Sequence, residues 1–297
     1  MSTLHRIDRA MRRAVLWLGM ATVALFAIAL GTFLGRGHPA EIPPDQLAVT
    51  VVNVGHGEAS WIKTPSGKFI VIGGGPATGG RQVADSLRAA GAEKIDLLIL
   101  PYPYAEAIGG VPAILDVLPV VEAVEPGGPE VNQWQAQVRA YLDRKKARVR
   151  LGRAGENIYI DNAKIEILAP REPLLDVTPA SANNSLVVRV RWGQTSFLWA
   201  GGIEKAGEEA LIANTPDLHA NWLRVARFGN RSASSPEFLR LVMPEYTVVS
   251  TGANRDNLPH RETMERLEAT GANVYRTDTG PRTFTFYSDG AQVFGPP

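Results

Sequence analysis

The sequence predicts an α/β (α+β) fold of four layers, two β-sheets face to face with helices on their outer surfaces (αββα), preceded by one transmembrane helix. Three observations predict it. An apolar run with no ionisable side chain occupies residues 14–35. Behind it come two blocks of strand-like sequence, each followed by helical periodicity, as when helices cover the outer faces of paired sheets. The composition is that of an ordinary folded domain, with 45% hydrophobic and 21% charged residues among 297,.

The elements follow in chain order. Residues 1–13 form a basic N-terminus, with Arg6, Arg9, Arg12 and Arg13 against Asp8. A span over 14–35 is long enough to cross a hydrocarbon core of roughly 30 Å, and only Arg36 follows it closely,. The positive-inside rule then places the N-terminus in the cytoplasm and the rest outside, as a single-pass protein of the cell membrane with an uncleaved signal anchor. Residues 36–46 are a Pro-rich connector, and residues 47–297 a folded domain,. Strands are expected at 48–54, 59–63 and 69–72, a helix at 82–90, a buried strand at 95–100, and helices at 110–118 and 131–146. Strands return at 158–160, 164–168, 185–192 and 196–199. Helices follow at 203–213 and 236–241, the second capped by Ser234 or Ser235 with Pro236 in its first turn,. A strand at 247–250, a helix at 261–269, a strand at 273–275 and a hairpin around Asp289-Gly290 complete the chain.

Composition removes several functions. With no Cys there is no disulfide, thiolate metal site or Cys nucleophile,. Five His make a multi-histidine metal site hard to build. A formal net charge of +1 argues against a generic polybasic nucleic-acid binder,. Gly73-Gly74-Gly75 lacks the Gly-Lys-Ser/Thr of a phosphate loop, and Ser185 and Ser196 lack a nucleophile elbow,. His56, in a turn, reads as a structural hydrogen-bonding residue. The basic run Arg144-Lys145-Lys146 with Arg148 and Arg150 reads as a solvated face that could also meet lipid phosphates.

The runs Val51 to Ala59, Thr64 to Lys68 and Ile72 to Pro76, with Ile108-Gly109-Gly110, Asn184 to Val187, Ala200 to Glu204, Gly252-Ala253-Asn254 and Pro259-His260, carry a resemblance. In this order they resemble the metallo-β-lactamase-fold domain at the C-terminus of ComEC-type DNA-uptake proteins. The resemblance implies an αββα fold and a metal-dependent hydrolase, usually with two zinc or manganese ions.

The departures fall on the metal ligands. Where the family has His-x-His-x-Asp-His, this chain has Tyr102-Pro103-Tyr104-Ala105-Glu106-Ala107. The bridging Asp of the family aligns with Gly202, its His-His-Gly with Arg227-Phe228-Gly229, the His before Pro259 with Leu258, and its early Asp with Gly73. A catalytic zinc needs about three protein ligands, and of the family's set only Glu106 remains as a carboxylate. The reading is therefore a membrane-anchored, catalytically inactive domain acting as a binding or scaffold module outside the cytoplasm, beside an unknown protein of the cell envelope. No cofactor is expected. Tyr102, Tyr104, Glu106, Arg227, Phe228, Arg231, Asn254 and His260 are the ligand-binding candidates, suited by aromatic faces and a guanidinium to an anionic ligand or single-stranded nucleic acid. Against this, the large side chains merely fill vacated volume, with Arg227 paired to Glu106. Two alternatives stay open: a divergent metal-dependent hydrolase of phosphodiesterase or nuclease type, with Glu106 as base and zinc or manganese bound, and a nucleotide or single-strand binder linked to DNA uptake.

Overall fold

The computed structural model describes residue 43 and residues 45–128, 132–279 and 283–296. The first sheet orders its strands β15-β14-β1-β2-β3-β4-β5-β6. These are β1 (Leu47–Val52), β2 (Ser60–Lys63), β3 (Phe69–Ile72), β4 (Ile95–Ile99), β5 (Val120–Glu125), β6 (Arg148–Leu151), β14 (Thr283–Ser288) and β15 (Val293–Phe294). The second sheet runs β13-β12-β11-β10-β9-β8-β7. Its strands are β7 (Asn157–Ile160), β8 (Ala163–Ala169), β9 (Val187–Trp192), β10 (Thr195–Trp199), β11 (Trp222–Arg224), β12 (Tyr246–Val249) and β13 (Asn273–Arg276). In each sheet antiparallel hairpins give way to parallel strands, β3 to β6 in the first and β10 to β13 in the second.

Three apolar layers hold the sandwich. Between the sheets, Val49, Val51, Ile70 and Ile99 meet Phe197, Trp199, Trp222 and Phe286, all essentially buried. The Trp199 and Trp222 rings lie 4.9 Å apart and Phe286 stands edge-on to Trp222 at 5.7 Å,. The outer face of the first sheet is covered by α1 (Gly80–Ala89), α2 (Ala105–Ile108), α3 (Val111–Leu115) and α4 (Gln133–Arg144), which bury Val83, Leu87, Ile114 and Val138. That of the second is covered by α6 (Lys205–Asn214), α7 (Pro236–Val242) and α8 (Arg261–Glu268), through Leu211, Phe238, Leu239 and Leu267. A short α5 (Ala180–Asn183) precedes β9. Asn132 caps α4 by accepting from the N–H groups of Trp134 and Gln135, and Ser235 caps α7 by accepting from that of Phe238,.

Several expectations are corrected. The fold is an α+β two-sheet sandwich, and among the described residues no helix is long and apolar enough to cross a membrane. Residues 14–35, where the span was expected, lie outside the described residues. The single-pass cell-membrane topology, the membrane anchoring and the envelope partner rested on that span, and none of the described helices supplies one. Strands β5, β6 and β11 were not anticipated. Within the basic run after α4, Arg148 and Arg150 sit on edge strand β6, and Arg150 pairs with Glu122 of β5 at 2.6 Å and with Glu156 at 2.5 Å.

Candidate functional site

Parallel strands place their C-terminal ends together, and side chains from those ends converge where this topology leaves a crevice. Here the segments after β1, β4, β10, β11 and β12 meet at one edge of the sandwich. They bring His56 and Glu58, Tyr102, Tyr104 and Glu106, Gly202 and Glu204, Arg227 and Phe228, and Thr251 with the loop through Leu258.

The floor of the site is an ion pair between the sheets. Glu58, just before β2, and Arg224, at the end of β11, are both fully buried, with Glu58 Oε2 3.3 Å from Arg224 Nη1. Arg224 Nη1 also donates to the Val225 carbonyl at 2.8 Å, and its guanidinium lies 5.1 Å from the centre of the Phe228 ring. Burial pushes the Glu58 carboxyl up, opposed by the Arg224 charge and by the nearby Tyr102 hydroxyl,. Burial, and then the Glu58 charge, hold the Tyr102 phenol well above its ordinary range, so it is a neutral phenol and no metal-binding phenolate,. Neither Glu58 oxygen, nor Tyr102 Oη, nor Arg224 Nε and Nη2 makes a well-formed hydrogen bond to the protein.

Two glycines leave little room on this floor for the carboxylates that the resemblance puts there. Gly73 has φ +70°, and a Cβ there would lie 2.3 Å from the Glu58 carbonyl oxygen. At Gly202 a Cβ would stand 3.1 Å from both Ser185 Oγ and the Tyr102 ring. Tyr102 thus occupies the space into which an Asp at 202 would reach. Ser185 is structural as well, its hydroxyl oxygen accepting from the Gly202 N–H at 3.0 Å.

The mouth lies above this floor. Arg227 Nε stands 3.1 Å from Glu204 Oε1, its Nη1 4.0 Å from Glu106 Oε1, and its guanidinium 5.4 Å from the centre of the Tyr104 ring. Arg227 and Phe228 both take left-handed backbone, φ 47° and 57°, followed by Gly229 at φ 82°. Two consecutive non-glycine residues in this region cost roughly 1–2 kcal/mol each. The turn is held by the Arg227 N–H donating to the Gly201 carbonyl and the His260 N–H to the Gly229 carbonyl. It drives the buried Phe228 ring inward, 4.3 Å from the His56 imidazole. His56 Nδ1 is 3.3 Å from Thr251 Oγ1. Burial above all lowers the His56 pKa, Arg224 and Arg227 adding to the effect while Glu106 and Asp256 oppose it. The imidazole is therefore neutral at pH 7.

Of the sequence candidates, Tyr104, Glu106 and Arg227 meet at the mouth, and Tyr102 and Phe228 are buried beneath it. Asn254 is spent on its own loop, donating to the carbonyls of Gly252 and Leu258 and accepting from the N–H groups of Asp256 and Leu258. His260 stands at the N-cap of α8 without a side-chain cap bond, and Arg231 is exposed. Sequence reasoning missed Glu58, Arg224 and Glu204 and gave His56 only a structural part. Arg224 had a signal: it is the one charged residue in the apolar run 222–226.

Zinc or manganese does not fit these residues. Among the described residues no three His, Cys, Asp or Glu side chains gather as a metal site, and the carboxylates of Glu58, Glu106 and Glu204 already face the guanidinium groups of Arg224 and Arg227. The expectation of an anionic ligand or single-stranded nucleic acid gains no support from the site, since Arg227 is already paired with Glu204 at 3.1 Å and stands 4.0 Å from Glu106.

No family model matches the sequence. Solved structures share the fold. YhfI from Bacillus subtilis, described as a metallo-β-lactamase fold protein, is 10% identical at TM-score 0.54 over 82% of this chain and all of its own. Tm1679, described as a metal-dependent hydrolase of the β-lactamase superfamily, is 11% identical at TM-score 0.51 over 80% of this chain and 98% of its own. The fold is that of the metallo-β-lactamases. This metallo-β-lactamase-fold domain is also distantly related to competence proteins. It is 25% identical to ComE operon protein 3 of Bacillus subtilis over 77% of this chain and 32% of that protein. To competence protein ComA of Neisseria gonorrhoeae it is 27% identical, over 81% of this chain and 32% of that protein. The chain spans about a third of the length of these relatives. The membrane-anchored binding or scaffold reading is therefore corrected: among the described residues no helix is long and apolar enough to anchor the chain in a membrane.

Proposed function

We propose that this chain is a divergent hydrolase of the metallo-β-lactamase superfamily, corresponding to the C-terminal domain of ComEC-type proteins, whose centre acts slowly and without a resident metal on phosphodiesters. The observation that carries the reading is the meeting of a neutral imidazole, a carboxylate and a guanidinium, His56, Glu106 and Arg227, at the strand ends where open sheets bind ligands,. The bond class follows the resemblance to DNA-uptake proteins, whose cargo has a phosphodiester backbone.

With His56 Nδ1–H donating to Thr251 Oγ1, its Nε2 is left to act as base. A water molecule gives a proton to Nε2 as its oxygen bonds to phosphorus. The bond from phosphorus to the leaving alkoxide breaks, and the imidazolium returns the proton to that oxygen. The Glu106 charge favours the imidazolium, and Arg227 faces charge on the phosphoryl oxygens. General acid–base catalysis supplies about 10² to 10⁴-fold, far below the full rate enhancement of most enzymes. Because Glu106 and Glu204 already hold Arg227, substrate binding is weak.

The test is hydrolysis of bis(p-nitrophenyl) phosphate by the full chain in excess EDTA. The expected result is slow turnover that EDTA leaves unchanged and that falls about 10²-fold in His56→Ala. Turnover no faster than buffer, or turnover that appears only on adding zinc or manganese, overturns the proposal.

A further inference from the structure

The pairs Glu58–Arg224 and Glu106–Arg227 each run from the first sheet to the second. Glu58 and Glu106 follow β1 and β4, whereas Arg224 and Arg227 lie at and just beyond the end of β11. Glu204, after β10, braces Arg227 from its own side at 3.1 Å. Tyr102, from the first sheet, fills the space over Gly202 of the second. The resemblance to metal-dependent relatives puts metal ligands on these same segments.

We infer that these two ion pairs have replaced a metal centre as the tie between the strand ends, and that the domain holds its native structure with no metal at all. The inner pair is the decisive one. A charge at Glu58 or Arg224 left without its partner has no solvent to meet, so either single loss is severe, whereas replacing both with apolar side chains of similar length removes the penalty. Five polar atoms of Glu58, Arg224 and Tyr102 without well-formed protein hydrogen bonds point the same way, because such a pair is stabilising only relative to its own halves,. The outer pair, partly exposed, contributes less,.

The experiment is a thermal-unfolding cycle on the full chain with Glu58→Met, Arg224→Met and the double variant, each with EDTA, zinc chloride or manganese chloride. The expected result is a fall in Tm of about 10 °C or more in each single variant, or failure to fold. The double variant is expected within a few degrees of the parent. Neither metal is expected to raise the parent's Tm. Additive losses in the double variant, a double variant that fails to fold, or a rise of several degrees on adding metal to the parent overturns the inference. Arg227→Ala is the second arm, with a small loss of Tm expected; a loss as large as that of Arg224→Met would overturn the assignment of the tie to the inner pair. The inference does not depend on turnover: an inert protein that passes this cycle sinks the proposed hydrolysis alone, and an active one that fails it sinks the ionic tie alone.

Discussion

His56 is held neutral by its surroundings, and this fixes the sign of its contribution. Because its folded pKa lies below the ordinary 6.5, the unfolded chain binds more protons than the folded one as pH falls through that value,. Its stabilising contribution is therefore complete above about pH 6.5 and is lost progressively as pH drops toward the folded pKa,. Urea unfolding at about pH 5 and about pH 8 checks this: the parent loses stability at the lower pH, and His56→Phe loses less. Restoring a family carboxylate tests the floor differently. Gly202→Asp must displace the Tyr102 ring and is expected to cost about 1–3 kcal/mol, whereas Gly202→Asp with Tyr102→Ala relieves the clash,. Stability of the double variant below the sum of the two single effects contradicts this. The departures from the resembled motif can be read from the sequence, since each is a single position in a run. Glu58 cannot be read that way, because nothing in its neighbourhood indicates that Arg224, far along the chain, would be its charged partner in the core.

At the scale of elements, strongly patterned segments were legible and lightly patterned ones were not. Helices α4, α7 and α8 fall within a few residues of their expected positions, because their periodicity marked them, and at α7 a Ser cap and Pro236 marked the start as well. Strand β5 was missed because its polar positions meet the arginines of β6, so the pair reads as charged surface until the strands are paired. Strand β11 is three residues long and ends in Arg224, too short for any alternation to show. The Asn132 cap gives a simple prediction: Asn132→Ala exposes the N–H groups of Trp134 and Gln135 and lowers stability by about 1 kcal/mol, measured by urea unfolding,. No loss would mean that other groups satisfy that helix end. The left-handed turn at Arg227 and Phe228 is the strained element, and it directs one side chain to the mouth and the other into the core.

The described domain has the metallo-β-lactamase fold, with Tyr102, Arg224 and Arg227 at the centre between the strand ends. Burial of the three apolar layers explains why the fold survives: Trp199, Trp222 and Phe286 pack between the sheets without help from the strand ends. The centre can therefore change its chemistry without loss of architecture, and Tyr102, Arg224 and Arg227 show the change carried through from floor to mouth. The layered fold was legible because burial repeats along each strand, whereas the tie between sheets depends on pairs that only the folded chain brings together. The central claim, that this centre operates with no resident metal, is tested most directly by elemental analysis of the purified full chain after exposure to zinc and manganese and exhaustive dialysis. The account predicts only trace metal, well below one ion per chain. One or two ions per chain, retained through dialysis, would contradict it.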